Sequence, residues 1–269
     1  MAQTQMALDS QDFDATVALA TQVAPHVDIL EIGTPCIKHN GIELLKTLRA
    51  KFPNNKILVD LKTMDAGFYE AEPFYAAGAD ICTVLGTADT ATIKGFIDVA
   101  NKYNKMAQVD LINVTDKKAR TLEVAKLGAH IIGVHTGLDQ QAAGQTPFTD
   151  LALVTSLNTG AKVSVAGGVK ANTAAQVVAA GADIVVAGAA IYGAEDPAAS
   201  AAEITGIVHA GKASSSCKKL LPWAIIAGVV LLGLYLLNGG TVDPAATDAA
   251  ATTEQAVEAV SDVVEAAAE

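Results

Sequence analysis

In Lys56-Ile57-Leu58-Val59-Asp60-Leu61-Lys62-Thr63-Met64-Asp65, residues Lys56 to Lys62 read as a short buried strand that ends in charge. Residues two apart on a strand share a face, so Asp60 and Lys62 point the same way, and Asp65 follows just past the strand end. Two carboxylates around one ammonium at the end of a buried strand are costly. They form either a structural ion-pair cluster or a site that uses the charges. The surrounding chain decides between the two.

Short apolar segments of the same kind recur at 6–9, 27–32, 57–62, 81–85, 107–112, 131–135, 162–166 and 184–187. Amphipathic or Ala-rich stretches lie between them, such as 12–23, 41–51, 90–101 and 117–126. A local repeat punctuates the series: Ala77-Gly78-Ala79-Asp80-Ile81, Leu127-Gly128-Ala129-His130-Ile131 and Ala180-Gly181-Ala182-Asp183-Ile184. In each, the glycine supplies the left-handed residue that ends a helix before the chain enters a strand. A doubly wound open sheet can use the same punctuation. Eight consecutive βα units favour an α/β chain closed into a (β/α)8 TIM barrel over residues 1–212.

Composition sets further limits. The 269 residues are 51% hydrophobic but only 4% aromatic, so the core is built from Ala, Val, Ile and Leu. A net charge of −11 argues against nucleic acid as a partner. Cys36, Cys82 and Cys217 are too scattered for a disulfide framework or a zinc site, and suit a reducing compartment. The N-terminus has neither the basic nor the apolar region of a signal peptide.

The C-terminal end reads differently. A Ser-rich linker at 213–219 precedes an uncharged apolar run at 220–237, which is expected to cross a membrane once as a helix. Lys218 and Lys219 place its N-terminal side in the cytoplasm, and Trp223 and Tyr235 suit the two interfaces. Residues 238–269 form a low-complexity tail whose only charges are acidic. The expected arrangement is a cytoplasmic barrel anchored to the inner (plasma) membrane, with the tail outside.

Barrels of this class keep their active sites at the C-terminal ends of the strands. Asp9, Glu31, Asp60, Lys62, Asp110 and His135 all fall at such ends, which predicts one shared pocket. Asp60 and Asp65 favour a charged Lys62, so the lysine suits stabilising an anion rather than forming an imine. Glu31 and Asp60, from consecutive strands, suit a hard cation such as Mg2+, which would polarise a ketone and hold an enediolate. Their alternative is a pair satisfied by lysine and backbone amides. Gly167-Gly168 and Gly188-Ala189 close the seventh and eighth strands, where such barrels bind phosphate through uncovered N–H groups. His135 is placed for proton transfer.

The motif Asp60-x-Lys62-x-x-Asp65, with Asp9 in Ala7-Leu8-Asp9 and Glu31 in Glu31-Ile32-Gly33-Thr34-Pro35, resembles the orotidine-5′-monophosphate decarboxylase superfamily. Within it, Leu61-Lys62-Thr63-Met64-Asp65-Ala66-Gly67, Val134-His135-Thr136-Gly137-Leu138-Asp139 and Val165-Ala166-Gly167-Gly168-Val169 resemble the 3-hexulose-6-phosphate synthase branch. The resemblance implies a metal-dependent aldehyde-lyase that uses no Schiff base. Formaldehyde and D-ribulose 5-phosphate would condense to D-arabino-hex-3-ulose 6-phosphate through a Mg2+-stabilised enediolate. It further implies that Glu31 and Asp60 hold the metal, that Lys62 stabilises the enediolate and that His135 moves the C1 proton. Asp9 and Asp110 would contact substrate hydroxyls or the lysine, and Asp65 would enter the partner's site in a homodimer with shared active sites. The related 3-keto-L-gulonate-6-phosphate decarboxylases carry Glu at Asp110 and Arg at Leu138 and Ala189, so all three positions here follow the synthases. A non-catalytic membrane-tethered barrel is the remaining alternative. Nothing in the resemblance covers residues 213–269.

Overall fold

The computed structural model describes residues 1–211. The expected linker at 213–219, membrane span at 220–237 and acidic tail at 238–269 lie outside the described residues. Among the described residues, no helix is long and apolar enough to cross a membrane.

The eight expected strands form. They are β1 (Gln3–Leu8), β2 (Ile29–Ile32), β3 (Lys56–Thr63), β4 (Ile81–Leu85), β5 (Met106–Asp110), β6 (Ile131–His135), β7 (Lys162–Ala166) and β8 (Ile184–Ala187). Every neighbouring pair is parallel, and β1 pairs with β8 to close the barrel. Helices return the chain between strands: α1 (Phe13–Val23), α2 (Thr34–Lys51), α3 (Gly67–Ala76), α4 (Thr90–Lys102), α5 (Lys117–Lys126), α6 (Leu138–Ala142), α7 (Phe148–Ser156), α8 (Ala171–Ala179) and α9 (Ala189–Tyr192). A further helix starts at 197 and continues to 211.

The two-residue period of each strand sorts its side chains. Leu30, Ile32, Val59, Val109, Ile132, Val134 and Val165 face outward into the core shared with the helices. Ile29, Leu58, Ile81, Ile131 and Ile184 face inward and form a separate buried cluster, with Met106 packed against it. This cluster fills the barrel interior near the strand starts. Two residues further along, the inward positions become polar, as Glu31, Asp60, Thr83 and Gln108. Apolar burial therefore holds one end of the barrel and chemistry occupies the other.

The repeat has a second role beyond ending helices. Its glycines adopt the expected left-handed backbone, at φ 109° for Gly78, 93° for Gly128 and 101° for Gly181. The residue two positions after each glycine then caps a neighbouring strand. Asp80 accepts the Ile57 N–H at 2.9 Å, His130 the Ala107 N–H at 3.2 Å and Asp183 the Val163 N–H at 3.0 Å. His130 is therefore structural.

Bounds of β1, β2, β3 and β5 shift from expectation by one to three residues, and the start of the second helix shifts further. Helix α2 starts at Thr34, with Pro35 in its first turn, rather than near residue 41. Gly41 lies inside it with φ 64° and ψ −163°, a kink joining two helical pieces and interrupting the apolar period. The early start matters because Thr34 belongs to the site.

Candidate active site

A cavity of about 620 Å3 opens at the C-terminal ends of the strands. It gathers Asp9 from just past β1, and Glu31, Asp60, Lys62, Asp110 and His135 from β2, β3, β5 and β6. Gly167, Gly168, Gly188 and Ala189 line the same cavity beyond β7 and β8. One pocket takes all the expected residues except Asp65. That carboxylate is exposed, accepts the Ala66 N–H at 2.7 Å and does not line its own chain's pocket.

Strand alternation alone does not place Lys62. The β3–β4 register shifts between Val59 and Thr63, and Lys62 has φ 47°, a left-handed backbone unusual for a residue with a side chain. Its N–H has left the regular ladder and donates to Thr83 Oγ1 at 3.0 Å. Thr83 Oγ1 donates to Asp60 Oδ1 at 2.7 Å, and Thr34 Oγ1 donates to Asp60 Oδ2 at 2.6 Å. The strained turn and two hydroxyls thus fix the lysine and its carboxylate partner together.

Lys62 Nζ hydrogen-bonds Asp60 and lies 3.5 Å from Asp110 Oδ2. Burial disfavours its charge, but Asp60 and then Asp110 outweigh burial and raise its pKa above the ordinary lysine value. The two carboxylates therefore favour the ammonium form. Asp110 also receives His135 Nδ1 at 2.8 Å and the Ile112 N–H at 2.9 Å. Burial opposes ionisation of both partners in that pair. The hydrogen bond and mutual charge prevail, lowering the Asp110 pKa and raising that of His135.

Glu31 is the costly group. It is 9% exposed and accepts one hydrogen bond, from Gln5 Nε2 at 2.7 Å. Burial first, and the Asp60 carboxylate second, push its pKa up to about 8. A cation shared with Asp60 would remove both penalties. Among the described residues, no group of three or more His, Cys, Asp or Glu forms a ready metal cage. Two buried carboxylates facing an open cavity nonetheless fit a hard cation that keeps waters and takes substrate oxygens.

Several polar residues escaped the sequence reading. Gln5, Thr34, Thr83 and Gln108 surround the charged set, and Gln5 Oε1 and Gln108 Oε1 are buried without a hydrogen-bond partner. Gln5 and Gln108 occupy inward positions, so their parity with Asp9 and Asp110 was the available signal. Gly33 is required for a steric reason. A Cβ there would stand 2.1 Å from Asp9 Oδ1, so the glycine leaves room for that carboxylate.

Residues 2–204 match the orotidine 5′-phosphate decarboxylase / HUMPS family. The chain is 83% identical over 207 residues to the 3-hexulose-6-phosphate synthase of Methylomonas aminofaciens, covering 77% of this chain and 99% of that protein. It is 45% identical over 206 residues to the Mycobacterium gastri 3-hexulose-6-phosphate synthase, covering 76% of this chain and 98% of the other. The crystal structure of 3-hexulose-6-phosphate synthase from Salmonella typhimurium aligns with a TM-score of 0.76 and 37% identity, over 78% of this chain and 99% of that one. Sequence, barrel and strand-end charges agree: the chain belongs to the orotidine 5′-phosphate decarboxylase / HUMPS family.

Proposed function

We propose that the chain is a 3-hexulose-6-phosphate synthase, which joins formaldehyde to D-ribulose 5-phosphate to give D-arabino-hex-3-ulose 6-phosphate. The supporting observation is Lys62, an ammonium kept charged between Asp60 and Asp110 beside the buried Glu31. A charged lysine cannot attack a carbonyl, so it serves the anion formed during the reaction.

With Asp110 accepting from Nδ1, His135 presents Nε2 as the base that removes a proton from C1 of ribulose 5-phosphate. Lys62 offsets the negative charge that develops on the enediolate oxygens. The C1 electron pair then forms the new bond to the formaldehyde carbon. The carbonyl pair moves to the formaldehyde oxygen, which takes the proton back from His135, so atoms and charge balance. Glu31 and Asp60 are the residues to hold Mg2+, which when bound supplies further positive charge to the sugar oxygens. Backbone around Gly167-Gly168 and Gly188-Ala189 takes the phosphate.

The test is formaldehyde consumption by the purified protein with ribulose 5-phosphate. Absence of consumption rejects the reaction. Exhaustive chelation should abolish turnover and added Mg2+ should restore it, whereas full activity after chelation rejects the metal. The decarboxylase reading is weaker, since Asp110 is the shorter acid and Leu138 and Ala189 bring no charge to the pocket rim.

The raised pKa of His135 sets the pH dependence. The imidazole is protonated below that pKa and becomes a base above it, so kcat/KM rises with pH through it. Asp110→Asn removes the carboxylate that raises the pKa. The rising limb should move to lower pH while the maximal rate falls on the order of a hundredfold. An unmoved limb in the measured pH–rate profile rejects His135 as the titrating base.

Asp65 completes the partner's site in a homodimer on this reading. Its exposure is consistent with that role, as are its neighbours Met64, Phe68 and Tyr69, which leave large apolar area uncovered. The uncharged run at 220–237, flanked by Lys218 and Lys219, remains our proposed membrane anchor. Recovery of the intact chain entirely in the soluble fraction of lysed cells rejects it.

A further inference from the structure

Acidic side chains outnumber basic ones in the pocket lining, although the proposed substrate is itself an anion. Asp9, Glu31, Asp60, Asp110 and Asp139 line it against three groups able to carry positive charge, Lys62, His135 and Lys170. Lys62 is engaged by Asp60 and Asp110, and His135 by Asp110. No arginine lines the cavity, and Ala189 brings no charge. Among the described residues, Lys170 is the remaining lining cation, and its side chain pairs with no acid.

Its place in the fold is specific. Lys170 follows the Gly167-Gly168 turn, whose residues have φ 125° and 69°, and it stands at the N-cap of α8. Its backbone N–H is taken by Thr173 Oγ1 at 3.0 Å, which fixes the main chain while the exposed side chain stays free. In the closed strand order, β7 stands across the barrel from β3. Lys170 therefore lies across the mouth from Lys62 and Asp60. A phosphorylated pentulose carries its ketone near one end and its phosphate at the other, which suits groups on opposite sides of the mouth.

We propose that Lys170 supplies the counter-charge for the phosphate of the sugar substrate. The glycine turn offers neutral N–H groups, and the lysine offsets the dianion among the acidic residues that line the pocket. This assignment rests on the reaction proposed above. It predicts that Lys170 contributes to phosphate recognition and nothing to the bond-forming step.

The experiment compares wild type, Lys170→Gln and Lys170→Arg, with D-ribulose 5-phosphate, unphosphorylated D-ribulose and inorganic phosphate as probes. In Lys170→Gln, KM for ribulose 5-phosphate should rise on the order of tenfold to a hundredfold, with a much smaller change in kcat. The affinity for inorganic phosphate, read by calorimetry, should fall by a similar factor. Turnover of D-ribulose should be unaffected, and Lys170→Arg should recover most of the loss. Equal phosphate affinity and equal KM in wild type and Lys170→Gln overturn the proposal. Equal losses with both sugars also overturn it, because they indicate general damage to the loop. If wild type consumes no formaldehyde yet loses phosphate affinity in Lys170→Gln, the phosphate assignment stands and the reaction assignment falls.

Discussion

Lys62→Ala is expected to lower kcat on the order of a thousandfold, with a smaller change in KM for ribulose 5-phosphate. The ammonium meets charge that appears as the C1 proton leaves, so its loss falls on the reacting state more than on the bound sugar. Formaldehyde consumption by the purified variant measures this, and a rate within tenfold of wild type refutes the role. The backbone adds an independent check. Residue 62 sits at φ 47°, where alanine is strained and glycine is not. Lys62→Gly should be as inactive as Lys62→Ala yet more stable by ~1 kcal/mol in denaturant unfolding. That combination identifies a strained conformation retained for catalysis.

A mixture of two inactive variants should regain activity. If Asp65 serves the partner's pocket, Lys62→Ala and Asp65→Ala chains refolded together at equal amounts will form hybrid dimers. Each hybrid has one site with both defects and one with none, so about a quarter of wild-type activity should return. If Asp65 served its own pocket, each chain's site would keep its own defect and the mixture would stay inactive. Activity per chain before and after co-refolding decides the matter. A monomer by light scattering rejects the shared site directly.

Much of the barrel was legible because its signals are local. β4, β6, β7 and β8 have the bounds expected from their apolar runs, and the Gly-Ala repeat marked helix ends through one backbone requirement. Strand-end acids were legible because a charge closing an apolar run has few structural uses. The rest depends on neighbours distant in sequence. Thr34 and Thr83 matter because they meet Asp60 across 26 and 23 residues of chain, and an isolated threonine carries no sign of that. The left-handed turn at Lys62 is imposed by the β3–β4 shift and runs against the residue's own preference. Gly41 hid the start of α2 because a kinked helix loses its apolar period at the bend. The placement of Asp65 outside its own pocket could not be read from spacing, which shows only that it follows the strand end.

The inward cluster of Ile29, Leu58, Ile81, Ile131 and Ile184 also governs molecular traffic. It stoppers the barrel, leaving a well with one open rim, so both reactants must arrive and the product must depart by the same route. A six-carbon product still seated in the well bars the next pentulose. Competition between product and sugar is thus set by the stopper, while the small aldehyde needs only the space the sugar leaves beside it.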